Sequence, residues 1–293
     1  MKPSYITING SLVPSDQAMV SVFDHGFLFG DSLYEVLRTY DGKMACWKAH
    51  YERLLQSARL CHFEIHQTEE EIKSAVTKAI SRFLADFPKN EAYARIIVTR
   101  GIGSIGFSKS DLETSSQLIV IVQACPTWDD ETFQQGTKLQ VVDRIRNSPE
   151  ALSPAIKSGN YLNNLLAVLE ANESGFDDAI LCNAQGHITE GSRMNLFYAR
   201  RGRVATAPFE IGILDGVSRK ITLELLKENE IPCRITRFTK EHLYHADEVF
   251  VTSSIKEVFP VTQIDANTIG SGQAGPITRL LKKEFSKKAK LKE

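Results

Sequence analysis

The sequence predicts an α+β protein of two domains, a small N-terminal one and a larger C-terminal one. Three observations predict it. At 293 residues the chain is long enough for two ordinary domains. Alternating strand segments closed by Asn-Gly and Asp-Gly turns stand beside helices with apolar residues at i, i+3, i+4 spacing. A polar stretch at 125–136, CPTWDDETFQQG, contains Pro and Gly and follows neither period. It predicts a loop joining a domain over 1–124 to one over 137–293.

SYITINGSLVP reads as a hairpin turning at Asn9-Gly10, and SLYEVLRTYDGKMACW repeats that logic at Asp41-Gly42. KAHYERLLQSARLCHF is an amphipathic helix. TEEEIKSAVTKAISRFLADF is a second one, with Thr68 as cap and acids in its first turn. Strands YARIIVTRG and SSQLIVIVQA follow. Beyond 136, KLQVVDRI, DDAILCN, MNLFYARRGRV and DEVFVTS read as strands, alternating with helices at 161–173, 216–229 and 275–287. Hairpins in such number argue against a doubly wound parallel sheet. No GxxxxGK[ST] is present, and no nucleotide-binding loop is expected.

A net charge of −1 gives the whole molecule no pull toward nucleic acid or anionic membrane. Cys46, Cys61, Cys125, Cys182 and Cys233 have no metal-type spacing, so free thiols, no metal centre and a reducing compartment are expected. The start, MKPSYITING, lacks an apolar signal core, and the longest apolar run, LIVIV, is too short to span a bilayer. The expected location is the cytoplasm.

Five features can carry chemistry, and each alone also has an ordinary structural explanation. Lys157 stands beside Ser158-Gly159-Asn160 at the entrance to an apolar helix. It is either a solvated lysine or a desolvated amine able to form a Schiff base. Glu190 closes a strand, as part of a turn or as a carboxylate facing a cationic ring nitrogen. Gly216 precedes a helix with Val217 and Ser218 in its first turn. That start is a phosphate site of free N–H groups, or a helix end capped by Asp215 or Ser218. Thr252-Ser253-Ser254 ends a strand in hydroxyls. Arg53 follows His50 by three on a helix, so both share a face, and its fork suits phosphate.

In this order the pieces resemble the class IV (fold type IV) pyridoxal-phosphate enzymes: branched-chain aminotransferases, D-amino acid aminotransferases and aminodeoxychorismate lyases. The resemblance runs nearly end to end, through DHGFLFGDSLYEVLRTYDG, HYERLLQSA, YARIIVTRGIG, IKSGNYLNNLLA, ITEGSRMNLF, LDGVSRK and DEVFVTSSIKEVFPV. It implies a small α+β domain, a loop and a larger pseudo-barrel domain, with an active site between them that the partner subunit of a homodimer completes. It implies pyridoxal 5'-phosphate as cofactor, with Lys157 as the catalytic Schiff-base lysine and Glu190 against the pyridine nitrogen. Tyr161 is implied at the phenolic oxygen. Arg53, Val217 through its N–H, Ser218 and Ser254, beside Ser253, are implied around the phosphate. Phe29, Tyr34, Val36, Arg38, Arg95 and Ile255 are the implied substrate-binding positions. The implied substrates are an amino acid and a 2-oxo acid such as 2-oxoglutarate, handled by ping-pong turnover.

Within the family the sequence divides. YARIIVTRGIGSIGF, with Arg95, and IKSGNYLNNLLA resemble the branched-chain type. The D-amino acid type places an Arg-X-His carboxylate trap where this chain has Ile105, Gly106 and Phe107. Against this, the Phe-Glu-Gly of branched-chain enzymes is Tyr34-Glu35-Val36 here, nearer the D-amino acid type. Their Gly-Thr-Ala-Ala is Ser253-Ser254-Ile255-Lys256, with Lys256 expected to reach solvent. A branched-chain L-amino acid aminotransferase is the first expectation and a D-amino acid aminotransferase the second. An aminodeoxychorismate lyase or (R)-amine transaminase is the third. A non-catalytic binding protein retaining the fold is the alternative from another class.

Overall fold

The computed structural model describes residues 3–292, and their contacts divide them into two units. The first runs through Pro126 and takes in Ile156–Asn160; the second comprises Thr127–Ala155 and Tyr161–Leu291.

The first unit contains β1 (Tyr5–Ile8), β2 (Ser11–Val13), α1 (His25–Phe29), β3 (Ser32–Tyr40), β4 (Lys43–Met44), α2 (Trp47–Leu60), α3 (Glu69–Asp86), β5 (Ala92–Thr99) and β6 (Gln117–Ala124). Its six strands form one antiparallel sheet in the order β2-β1-β6-β5-β3-β4. Both expected hairpins form. Asn9 and Gly10 have φ of 48° and 77°, Asp41 and Gly42 51° and 74°, the paired left-handed backbone that tight hairpins need. Thr68 and Glu71 make a reciprocal capping box on α3. Ile72, Val76, Ile80 and Phe83 carry α3 into a core shared with Leu54 of α2 and Leu33, Leu37, Ile96 and Val120 of the sheet. Gly101–Gly106 reads G-x-G-x-x-G after β5, but it leads into a loop and a short 3-10 turn at Lys109–Asp111. Without a following helix it lacks the N-terminus that makes such a loop a phosphate site.

The second unit contains α4 (Asp130–Gln135), β7 (Thr137–Ile145), α5 (Leu162–Glu173), β8 (Asp178–Cys182), β9 (Ile188–Gly191), β10 (Asn195–Arg200), β11 (Arg203–Thr206), α6 (Val217–Glu228), β12 (Cys233–Ile235), α7 (Lys240–Tyr244), β13 (Glu248–Ser253), β14 (Glu257–Ile264), β15 (Asn267–Thr268) and α8 (Pro276–Lys290). The sheet is mixed, ordered β12-β11-β10-β13-β14-β7-β8-β9, with β15 beside β14. Three of its pairs are parallel: β11 with β12, β14 with β7, and β7 with β8. The stretch 125–136, expected to be irregular, holds α4. Asp129 caps it by accepting from the Thr132 N–H, two acids follow in the first turn, and Gly136 ends it. MNLFYARRGRV, expected as one strand, is the β10–β11 hairpin, turning at Arg201-Gly202.

Candidate active site

In the first unit, strand alternation sends Leu33, Glu35 and Leu37 to one face of β3 and Tyr34, Val36 and Arg38 to the other. The first face packs on α2, so the Glu35 carboxylate is buried beside leucines and needs partners. Arg53 supplies two, from Nε at 2.8 Å and Nη2 at 2.7 Å, and His50 Nδ1 lies 2.8 Å away. Burial alone would raise the Glu35 pKa; Arg53, then His50, outweigh it and hold the carboxyl well below the usual range. Burial lowers His50 more than Glu35 raises it, and the Arg53 and Lys157 charges add to the lowering. His50 and Arg53 share a face as expected. The fork of Arg53, however, is laid on Glu35.

On the opposite face the Tyr34 ring is the centre. Arg95, cross-strand from Val36, places its guanidinium carbon 4.0 Å from the ring centroid. Lys157 Nζ donates to Tyr34 Oη at 3.2 Å and stands 4.4 Å from the same centroid. The half-buried Lys157 comes here because Ile156–Asn160 lies along the part of β3 that β4 leaves unpaired. The Tyr34 N–H donates to Lys157 O at 3.0 Å, the Gly159 N–H to Ser32 O at 2.7 Å, and the Lys157 N–H to Ser57 Oγ at 3.1 Å. Lys157, Tyr34, Val36 and Arg95 thus form one group. Arg38 lays its guanidinium over Tyr40, 4.6 Å from the ring centroid. Phe29, last in α1, packs edge-on against His25 and against the exposed Phe107.

In the second unit, Glu190 is buried at the end of β9 and fully engaged. Oε1 accepts from Arg146 Nη2 at 2.9 Å and Nε at 3.2 Å; Oε2 accepts from the Leu214 N–H at 3.0 Å and Asn195 Nδ2 at 3.1 Å. Arg146 also donates to Asn164 Oδ1 on α5 at 3.0 Å. The sequence offered no signal for Arg146 or Asn195 beyond polar residues at strand ends. Tyr161 sits at the N-cap position of α5, one residue before the helix, and its backbone carbonyl accepts from the Leu165 N–H.

Val217 and Ser218 open α6, both buried, and no side chain caps that end. Asp215, one of the two caps considered, instead binds Lys220 at 2.6 Å. Gly216 lies so close to Asn195 that a Cβ there would run into Asn195 Oδ1. Thr252 Oγ1 and Ser192 Oγ are buried with no hydrogen-bond partner. Ser253, Ser254, Ile255 and Lys256 form the turn between β13 and β14. There Ser253 Oγ accepts from the Lys256 N–H at 3.0 Å, which gives that hydroxyl a turn-forming role. Lys256, expected in solvent, lies over the Phe259 ring at 5.2 Å. Its burial lowers the amine's pKa against the pull of Asp178 and Asp177.

Among the described residues no cluster of three or more His, Cys, Asp or Glu side chains could hold a metal, and no helix is long and apolar enough to cross a membrane.

The amino-transferase class IV family model matches residues 32–264. A putative branched-chain-amino-acid aminotransferase of Methanocaldococcus jannaschii is 35% identical over 96% of this chain and 94% of its own length. The branched-chain-amino-acid aminotransferase of Escherichia coli K12 is 31% identical over 97% of the chain and 92% of its own. A crystal structure of the Escherichia coli enzyme superposes with a TM-score of 0.88 at 30% identity, covering 97% of this chain and 93% of that one. A second crystallised branched-chain amino acid aminotransferase, complexed with N-(5'-phosphopyridoxyl)-L-glutamate, does so at 0.87 and 28% identity, over 99% and 95%. The enzyme of the archaeon Thermoproteus uzoniensis, crystallised with norvaline, gives the same four values. The α+β fold implied by the resemblance is the fold of these structures.

Proposed function

The chain belongs to the class IV aminotransferases, enzymes that depend on pyridoxal phosphate, and from that premise we propose that it moves the amino group of a branched-chain L-amino acid to a 2-oxo acid such as 2-oxoglutarate. The observation that carries the reading is Lys157, an amine held on Tyr34 by its own hydrogen bond and by a segment locked to β3.

The residues present fit the cofactor. The first unit offers an amine, and the second a buried carboxylate fixed by three neighbours. The uncapped start of α6 and the unpartnered hydroxyl of Thr252 suit a phosphate. Lys157, Tyr161, Glu190, Val217, Ser218 and Ser254 would hold it, with Arg53 acting alongside Glu35. When bound, the group supplies a carbonyl for amine capture and a protonated ring that takes up the electron pair left when the substrate Cα–H breaks. Lys157 Nζ would be the base that takes the proton from the substrate Cα. Tyr34 Oη orients that amine, and Glu190 would keep a proton on the ring nitrogen. Arg146, Asn195 and the Leu214 N–H prevent Glu190 from turning aside.

Arg95, beside Val36 and Tyr34 in the first unit, is a cation suited to the substrate carboxylate, and Ile255 is assigned to the substrate side by resemblance. Phe29 and Arg38 belong to the substrate side only by resemblance. The protein acts as a homodimer in the cytoplasm. Leu162, Leu165, Leu166 and Leu169, exposed along one face of α5, support the first point. Five cysteines, none of them in a disulfide, support the second.

The test is optical. Purified protein should absorb in the near-visible, and Lys157→Ala should abolish the borohydride-trappable link to the cofactor. Absence of any chromophore after incubation with pyridoxal phosphate would refute the reading. In half-reactions, L-leucine and L-valine should bleach the band faster than D-alanine, D-glutamate or (R)-phenylethylamine. Fast bleaching by D-alanine alone would move the chain to the D-amino acid type.

A further inference from the structure

Helix α8 carries Arg279, Lys282 and Lys283 at i, i+3 and i+4, a spacing that puts three cations on one face. All three line a cavity of about 370 Å³ in the second unit. Trp128, just ahead of α4, Phe133 within it and Phe259 of β14 give that cavity an aromatic wall. The rings pack on one another, with Trp128 at 5.4 Å and Phe133 at 5.8 Å from Phe259 between centroids. Asp130, in the first turn of α4, adds a carboxylate to the lining. None of these residues is one assigned above to the cofactor or the substrate.

The charges around the cavity are not spent on one another. Lys282 is: its Nζ lies 2.6 Å from Glu257 Oε2. Arg279 gives one N–H to Ala274 O. Among the described residues, however, Arg279, Lys283 and Asp130 make no ion pair. Opposite charges therefore line one cavity without meeting, beside a wall of three rings. An α-amino acid with an apolar side chain gives each of these features a partner. Its carboxylate suits the arginine fork, its ammonium suits Asp130, and its side chain suits the rings. A carboxylic acid without an amine would leave Asp130 facing a like charge. An amine without a carboxylate would leave Arg279 and Lys283 facing theirs. The size agrees, since pockets for small molecules begin at about 300 Å³.

We propose that this cavity is a second amino-acid site, which takes free α-amino acids with branched or aromatic side chains. The proposal does not rest on the cofactor reading, because binding here uses neither Lys157 nor Glu190. A chain that failed to take up pyridoxal phosphate would still be expected to bind at this place.

Trp128 reports on its own site. The chain has two tryptophans, so Trp47→Phe leaves Trp128 as the single indole. The full chain with that change is freed of cofactor, so that no amine is consumed, and titrated while its fluorescence is followed. L-leucine and L-phenylalanine should shift the emission saturably, and glycine, with no side chain, should not. If Trp47→Phe does not fold, the difference between wild type and Trp128→Phe gives the same signal. Asp130→Asn should weaken L-leucine about threefold and leave 4-methylvalerate, which has no ammonium, unchanged. Arg279→Gln with Lys283→Gln should weaken L-leucine about tenfold and leave L-leucinamide, which has no carboxylate, unchanged. Loss of packing alone would not cross over between probes in this way. No saturable shift, a shift that glycine matches, or one indifferent to all three charges would overturn the proposal. Equal weakening of every probe by both sets of substitutions would also overturn it and make these side chains packing residues.

Discussion

Glu35 sits on the apolar face of β3 and stays ionised only through Arg53 and His50. The pair sets a pH dependence whose sign is fixed. The folded pKa of His50 lies below its ordinary value of 6.5, so its contribution to stability is complete above that pH and is lost as pH falls through the folded value. Glu35 behaves alike at lower pH: its contribution holds above the ordinary carboxylate value of 4.5 and drains away below it. Between about pH 6.5 and 5, therefore, only His50 of this pair titrates. The urea midpoint of wild type should fall across that window. His50→Gln, which still donates to Glu35, should show a shallower fall. Parallel pH curves for the two proteins would mean that His50 takes up its proton as easily folded as unfolded.

At the scale of elements, what is legible in the sequence is what neighbours decide. Asn9-Gly10 and Asp41-Gly42 dictate their turns, and Thr68 with Glu71 dictates the start of α3, since each signal lies within four residues of what it controls. The contacts that make the site are remote. Tyr34 and Lys157 meet across 123 residues, and Arg146 and Glu190 across 44, so nothing local marks them. Family resemblance singles out Lys157 and Glu190 but not what holds them. Lys256 departs from its expected exposure because that depends on Phe259, in the neighbouring strand. Gly216 shows how elements converge. Its missing side chain lets the start of α6 approach Asn195, which donates to both Glu190 and Leu214 O. Gly216→Ala must push Asn195 away and deprive Glu190 of one donor. A hydrogen bond to a charged group contributes about 1.5–3 kcal/mol, so pyridoxal phosphate should bind roughly tenfold more weakly or worse. Absorbance titration measures this; a wild-type affinity would mean that Asn195 can move without releasing Glu190.

At the scale of the whole molecule, the feature that calls for a partner is the outer face of α5. One face of this helix is engaged within its unit: Asn164 takes a bond from Arg146 and gives one to Ser192 O at 2.5 Å. The other carries Leu162, Leu165, Leu166 and Leu169 at i, i+3, i+4 and i+7, exposed by 66%, 52%, 36% and 48%. Four half-exposed leucines in one stripe are unusual for a surface helix, whose outer face is ordinarily polar. A second copy of the chain would bury the stripe against itself about a two-fold axis, where the same residues meet from both sides. Burying the exposed half of each leucine contributes about 1 kcal/mol, enough from both copies to matter against the entropy of association. Leu165→Glu with Leu169→Glu would place four carboxylates in that contact. Sedimentation velocity across a concentration series should find wild type dimeric and the double variant dissociating at a concentration at least about tenfold higher. Because α5 follows directly on Tyr161 and braces Arg146 through Asn164, the variant's specific activity should also fall on dilution while wild type holds. A double variant as dimeric as wild type would remove α5 from the interface, and a wild type monomeric throughout would remove the dimer.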